Sequence, residues 1–191
     1  ISVMCALAAE VIWTRNLSLR LGATVYTFSI ILAVFLIGLG LGSSLGATLA
    51  RDYSRPRLLL ALSQFLQVGA IAWAAWMISG SLPHWPIEPG THASASVKFQ
   101  LDLVRCAWAI LPSAFLWGAS FPLALACTVT SGGDAARPVG RAYAANTLGA
   151  ITGAVLASLA LIPWLGTRNS QLLLMLVSAG GAVLVFQPRR A

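Results

Sequence analysis

The feature that most constrains this chain is a run of 28 residues, 23–50, that contains no charged side chain. A helix of about 20 mostly apolar residues crosses the ~30 Å hydrocarbon core of a bilayer, so this run is long enough to span it. Over the whole chain 58% of the residues are hydrophobic and 9% are charged, whereas soluble domains carry about 25% charged residues. The composition therefore excludes a soluble enzyme, a disordered tail and a disulfide-rich secreted module. It predicts an all-α helical bundle in a membrane.

Six transmembrane helices in a single domain are predicted from the apolar runs. Their approximate bounds are 1–21, 23–50, 58–79, 101–128, 142–165 and 170–187. The first apolar run is too short to cross a bilayer by itself, so its helix is expected to continue through Arg15. Further residues are expected before Ile1, which is not a methionine.

The distribution of basic residues predicts how the helices are oriented. Seven arginines lie in the connections after spans 2 and 4 and in the C-terminal tail: Arg51, Arg55, Arg57, Arg137, Arg141, Arg189 and Arg190. At most five basic residues lie at the opposite ends of the spans. Because arginine and lysine are enriched in cytoplasmic loops, both termini are predicted to be cytoplasmic, in a bacterial inner (plasma) membrane. No nucleic-acid partner is expected, because the chain has no basic face with interleaved aromatic residues.

Glycines at regular spacing mark two of the predicted spans. Span 2 contains Gly38, Gly42 and Gly46, and span 5 contains Gly149 and Gly153. Glycines spaced four apart let helix backbones approach closely, so these five residues are predicted to pack helices together. The two spans hold matching places in two sets of three, which favours a pair of inverted three-helix repeats, as in transporters.

Glu10 is the most unusual polar residue, because it lies inside an apolar run. A charge in mid-membrane costs roughly 2.5–3.5 kcal/mol on insertion scales, so Glu10 needs a partner or a water-filled cavity. Arg15 lies five positions further on, a poor match within one helix, and Tyr26 and Asn146 are the predicted partners from other spans. Two interpretations remain open at this point, a proton or cation site and a structural buried polar pair.

No catalytic, cofactor-binding or metal site is expected in this chain. The Gly-Ala-Ser sequence that ends at Ser120 lacks a histidine in any span to serve as a base. His84, Glu88 and His92 have a spacing that would suit a metal on a helix. Prolines and a glycine between them prevent that helix, so a solvated loop is predicted.

Four segments, in order, resemble the membrane-bound spermidine synthase-like (polyamine aminopropyltransferase-like) family. They are residues 9–15 (AEVIWTR), 25–43, 111–122 and 140–150 (GRAYAANTLGA). The chain departs from the family at Ala9, where a tyrosine is usual. The resemblance implies an N-terminal transmembrane domain, which in the family is followed by a cytoplasmic Rossmann-like domain that uses decarboxylated S-adenosylmethionine. That catalytic domain is expected to be absent from this chain, so none of its residues can be carried over.

Three functions are consistent with these observations. The first is a non-catalytic membrane domain that anchors or feeds a cytoplasmic aminopropyltransferase-like partner domain. The second is a structural or accessory subunit of a larger membrane complex, and the third is a half-size transporter of a small cationic molecule. All three have the lipid bilayer as a partner and none requires a cofactor.

Overall fold

The apolar runs lie in helices in the computed structural model, which describes residues 1–85, 95–128 and 136–187. Within these ranges every regular element is helical and no strand occurs, which confirms the all-α prediction. The α-helices are α1 (Ser2–Leu21), α2 (Val25–Asp52), α3 (Pro56–Trp76), α4 (Ala95–Ala126), α5 (Ala136–Leu156) and α6 (Gly166–Phe186). A π-helical turn, Met77–Ser81, and a 3-10 turn, Leu82–His84, extend α3. A π-helical segment, Ala157–Leu165, connects α5 to α6.

Local sequence explains where several helices begin and end. The Thr24 hydroxyl accepts a hydrogen bond from the Thr27 amide at 3.2 Å, which caps the start of α2. Pro56 occupies the first turn of α3, where its missing amide hydrogen costs nothing. Gly166 has φ +73° and ψ 168°, a conformation that residues with a Cβ rarely adopt, and it interrupts the helix between α5 and α6.

Length and hydropathy single out four stretches that could cross a membrane, rather than six. They are Val25–Asp52, Pro56–His84, Ser96–Ala126 and Ala136–Phe186. The first predicted span, α1, is not among them because polar residues from Glu10 to Asn16 interrupt its apolar sequence. The fifth and sixth predicted spans fall in the one stretch of 51 residues. The structure therefore shows a helical bundle with four candidate membrane spans.

The last stretch turns back on itself at Gly166. Residues 1–3 of α1 share a cavity with residues 181–185 of α6, and residues 16–20 share another with residues 167–175. Because low numbers in one helix meet high numbers in the other, α1 and α6 are antiparallel. By contrast α5 is parallel to α1, so α5 and α6 run in opposite directions.

The parallel packing of α5 on α1 depends on close contact at a glycine. Residues 1–3 lie beside residues 142–149, and Met4 lies against Gly153 one turn further along. A Cβ at Gly153 would overlap the Met4 carbonyl group. The backbones of α1 and α5 are thus in contact. This contact lies at the end of the bundle that contains Ile1, here called the N-terminal end.

Three glycines hold α2 parallel to α4 in the same way. Tyr26 and Phe99, near the two helix starts, have ring centroids 6.1 Å apart. Further along, Cβ atoms at Gly38, Gly42 and Gly46 would collide with the Ala114 side chain, the Phe115 carbonyl group and the Ala119 carbonyl group, respectively. Side chains on α2 cannot enter this contact, so the two backbones touch over about two turns.

Helix α3 packs against both α4 and α6 and is antiparallel to each of them. The Trp73 indole donates to the Trp108 carbonyl oxygen at 2.9 Å, and Arg57, at the opposite end of α3, donates to the Val185 carbonyl oxygen at 3.3 Å. Gln64 lies between these levels, beside Gly181 of α6. Consecutive helices therefore alternate in direction from α1 to α6. The start of α1, the α2–α3 turn and the end of α6 lie at the N-terminal end, and Gly166 lies at the other, here called the Gly166 end.

Candidate functional site

Uncharged polar side chains form a line through the otherwise apolar interior. Of the nine in the described part of the chain that are less than a tenth exposed, seven form this line: Gln64 and Gln67 on α3, Ser113 and Ser120 on α4, and Ser170, Gln171 and Ser178 on α6; the other two are Thr27 on α2 and Ser63 on α3. Burying such groups without hydrogen bonds is costly. Polar side chains inside a membrane bundle are for that reason the first places to look for function.

The centre of this line is a hydrogen bond between an indole and an amide. The Trp13 Nε1–H of α1 donates to the Gln171 Oε1 of α6 at 3.0 Å, and the Gln171 amide donates to the Thr167 carbonyl oxygen at 3.2 Å. Trp13 is fully buried, and its ring lies 5.6 Å from the ring of Trp117 on α4. The Trp117 ring in turn lies 6.3 Å from Phe35. The site thus combines amide groups with three aromatic faces.

A second indole and amide are buried beside the first pair, but they lack hydrogen bonds. Both amide atoms of Gln67 and the Trp117 Nε1 have no partner among the described residues, although Gln67 is only 1% exposed. The antiparallel register of α3 and α4 places Gln67 at the level of residues 114–117. An unpaired buried polar group costs about 1–3 kcal/mol. These three polar atoms are buried in packed surroundings, since the cavities described below are lined by neither Gln67 nor Trp117.

The spacing from tryptophan to glutamine is the same in the two indole–amide sets. Gln67 follows Trp13, and Gln171 follows Trp117, at the same distance (67 − 13 and 171 − 117 are both 54). Two helix pairs pack closely through glycines, α2 on α4 and α5 on α1 at Gly153. The Trp13 indole has a glutamine acceptor, whereas the Trp117 indole has no partner among the described residues.

A cavity of about 320 Å³ lies at the N-terminal end of the line. Its polar lining consists of Ser2, Gln64, Ser120, Thr128 and Asn146, and the remaining lining is mostly aliphatic. The Gln64 amide donates to Ser2 Oγ at 3.1 Å, and the Ser2 and Ser120 hydroxyls are 2.9 Å apart. This cavity is amphipathic, and none of its lining residues is charged.

A larger cavity, of about 590 Å³, lies at the Gly166 end. Arg20 of α1 and Arg168 of α6 line it, together with Asn16, Thr167 and Gln171. Since Gln171 also binds Trp13, the two cavities lie on either side of the central tryptophans. The polar line thus joins a cationic cavity to an uncharged one.

The four residues of the predicted polar site do not come together. Glu10 is half-buried and accepts a hydrogen bond from Thr14 at 3.5 Å. Tyr26 contacts Phe99 near the Gly166 end, whereas Asn146 lines the cavity at the N-terminal end. Arg15 is exposed, and no bond within the described ranges joins it to Glu10. A proton or cation role for Glu10 stays a prediction.

The other predicted positions have simple placements. All five predicted packing glycines lie on α2 or α5, and Gly149 is the loosest, with Met4 as its nearest neighbour at 3.6 Å from an added Cβ. The His84 Nδ1–H donates to the Gly80 carbonyl oxygen at 2.8 Å. Glu88 and His92 lie outside the described residues. In the described part of the chain no three metal-ligating side chains cluster.

The buried glutamines were missed by sequence reasoning, although a signal existed. Four glutamines lie inside the predicted spans, namely Gln64, Gln67, Gln171 and Gln187, and the first three are buried in the structure. An amide within an apolar run is less conspicuous than a charge, but it faces the same requirement for a partner.

Comparisons with protein-family models, with curated proteins and with solved structures returned no match. The resemblance to the spermidine synthase-like family therefore rests on the four segments of sequence alone.

Proposed function

We propose that this chain is a six-span membrane domain that binds a small polar molecule at its centre and passes it between two cavities, without catalysis of its own. The observation that carries the proposal is the set of unpaired buried groups at Gln67 and Trp117, between the cavities. In the resembling family such a domain adjoins a cytoplasmic enzyme. The passage would then feed that partner, and the bundle would anchor it.

Six crossings are supported by chain direction and by length. The stretch Ala136–Phe186 is 51 residues long, or about 75 Å of helix at ~1.5 Å per residue, which is more than twice the hydrocarbon core. Its reversal at Gly166 would divide it into two antiparallel crossings. Although α1 is less apolar, it packs in the centre of the bundle with Trp13 fully buried. Its polar residues can be satisfied inside protein rather than by lipid.

The inverted repeat is supported by the equal tryptophan-to-glutamine spacing of the two indole–amide sets. A two-fold axis in the membrane plane would exchange α1 with α4, α2 with α5 and α3 with α6. Binding sites of inverted-repeat transporters lie at the repeat interface near mid-membrane. The Trp13–Trp117 contact occupies that place here.

A small organic amine is the ligand proposed for this centre. Indole faces attract cations, and the Gln67 Oε1 atom is an acceptor without a donor. The Gln67 Nε2 and Trp117 Nε1 groups are donors without an acceptor, so the amine also needs an acceptor atom, such as an unprotonated nitrogen. This agrees with the polyamine chemistry that the family resemblance implies.

Uptake into proteoliposomes tests this function. The purified chain should take up radiolabelled spermidine faster than empty liposomes, and Gln67→Leu should reduce the rate on the order of tenfold because the free acceptor is lost. The exposed Gln187→Leu variant is the matched control and should behave as wild type. If no flux exceeds that of empty liposomes for spermidine or shorter diamines, the passage is rejected.

Membrane topology is tested with single cysteines and an impermeant maleimide. Cys5, Cys106 and Cys127 are first replaced by alanine. Burial raises the pKa of the Cys127 thiol, an effect that Arg57 partly opposes, so Cys127 itself is a poor reporter. In spheroplasts Ala23→Cys and Asn169→Cys should react from outside, and Ser54→Cys only after permeabilisation. Reaction of Ala23→Cys and Asn169→Cys from opposite sides would contradict six crossings.

One observation favours an accessory subunit as the second candidate. In the stretch Ala136–Phe186 only 17% of the most apolar 18-residue segment is buried. The corresponding segments of the other three candidate spans are 39–50% buried. An apolar face this open is covered by lipid or by another membrane protein. Purification in mild detergent separates these two cases, because an obligate subunit would not remain stable alone.

A further inference from the structure

The cavity at the Gly166 end contains positive charge that no acid balances. Arg20 and Arg168 line it, and neither forms an ion pair within residues 1–85, 95–128 and 136–187. The acid on this part of α4, Asp102, is already bound by Arg105 at 3.3 Å in a buried pair. Both arginines are exposed, so solvent screens their mutual repulsion, and an anion that binds between them would be attracted by both charges.

The other lining residues of this cavity provide neutral hydrogen-bond donors and an apolar wall. Asn16, Ser79 and Thr167 accompany the two arginines. The apolar wall includes Trp76 and Leu172, which are 57% and 48% exposed on the outer surface of the bundle. The cavity thus has a cationic part and an apolar part that reaches the surface where acyl chains would lie.

We infer that this cavity binds an anionic amphiphile, with its phosphate or carboxylate group between Arg20 and Arg168 and its tail along Trp76 and Leu172. Guanidinium groups bind phosphate and carboxylate oxygens through paired hydrogen bonds, which an ammonium group does not provide. Basic cavities between membrane helices are suited to lipid headgroups. The ligand could come from the bilayer or from solution, since both sources supply the same anionic group.

Binding is measured on the purified full chain by thermal unfolding during titration. Dioctanoyl phosphatidylglycerol should raise the melting temperature with saturation, and dioctanoyl phosphatidylcholine should not. Inorganic phosphate is the second arm. If it raises the melting temperature with the same dependence on the arginines, the anion is recognised without its tail and comes from solution.

The decisive variant is Arg20→Gln/Arg168→Gln, compared with Arg51→Gln/Arg141→Gln, which removes the same charge at the N-terminal end. The first should lose the saturable shift, and the second should retain it. Each single variant, Arg20→Gln or Arg168→Gln, should raise the half-saturating concentration on the order of tenfold, so the test survives if the double variant folds poorly. Equal responses of the two double variants, or no response of the wild type to either anion, would overturn the proposal. An anion bound between Arg20 and Arg168 would neutralise the cavity through which the proposed amine has to pass. Because the readout is binding, the result is independent of spermidine uptake.

Discussion

Replacing Gly42 by alanine is expected to force α2 away from α4 and to destabilise the bundle. A Cβ at this position would overlap the Phe115 carbonyl group. Because that group is backbone, no side-chain rotation can relieve the collision, and a cost at the upper end of the usual ~1–3 kcal/mol for overpacking is expected. The measurement is unfolding in dodecyl sulfate, followed by tryptophan fluorescence.

Each of the two glycine contacts, at Gly42 on α2 and at Gly153 on α5, has a control glycine on the same helix. Gly40 lies on α2 with nothing within 4 Å of an added Cβ, so Gly40→Ala should be neutral or stabilise by up to ~1 kcal/mol through helix propensity. On α5, Gly153→Ala should destabilise, while Gly149→Ala meets only an ordinary contact at 3.6 Å. Equal effects of Gly42→Ala and Gly40→Ala would show that α2 and α4 are not in backbone contact.

Opposite effects on stability are expected from the two central glutamines. Gln171→Leu leaves the buried Trp13 indole without its acceptor, and a loss of about 1–3 kcal/mol is expected. Gln67→Leu instead removes two buried polar atoms that have no partner and replaces them with apolar atoms of similar volume. It should stabilise the bundle by about 1 kcal/mol while it weakens binding of the proposed amine on the order of tenfold.

The same unfolding titration measures both glutamine variants. A combined Gln67→Leu/Gln171→Leu variant tests whether the two sites act independently, since additive changes are expected only for sites without a shared partner. If Gln67→Leu destabilises as strongly as Gln171→Leu, Gln67 has a partner in the membrane, and the difference between the two indole–amide sets disappears.

The sequence predicted that the chain folds into helices, but it did not predict which helices contact each other. Long apolar runs can form no other structure in lipid than helices, so the fold class followed from hydropathy. The spacing of Gly42 and Gly46 predicted close packing of α2 on another helix. It did not indicate that this helix is α4, because any helix with an accessible backbone could approach as closely. Periodicity within one helix contains no information about which other helix it meets.

The candidate site was harder to predict, and the reason lies in Glu10 and Gln67. A charge is conspicuous in a hydropathy profile, so Glu10 attracted attention, yet its hydrogen bond in the structure is to Thr14 on its own helix. An amide lowers hydropathy without a charge, and Gln67 proved to be the more deeply buried side chain. The equal spacing of the two tryptophan–glutamine pairs is visible in the sequence itself, so both glutamines could have been singled out beforehand.

The hydrogen bond between Trp13 and Gln171 has a consequence for biosynthesis. Its two residues are 158 positions apart, and ribosomes add about 5–20 residues per second. The first helix must therefore wait on the order of ten seconds or more in the membrane before its amide partner has been synthesised. During that interval the indole hydrogen of Trp13 needs a temporary acceptor, such as a lipid headgroup or the insertion machinery. Ribosome pausing before the codon of Gln171 should thus expose the nascent first helix to quality-control proteases, although every residue of that helix is already in place.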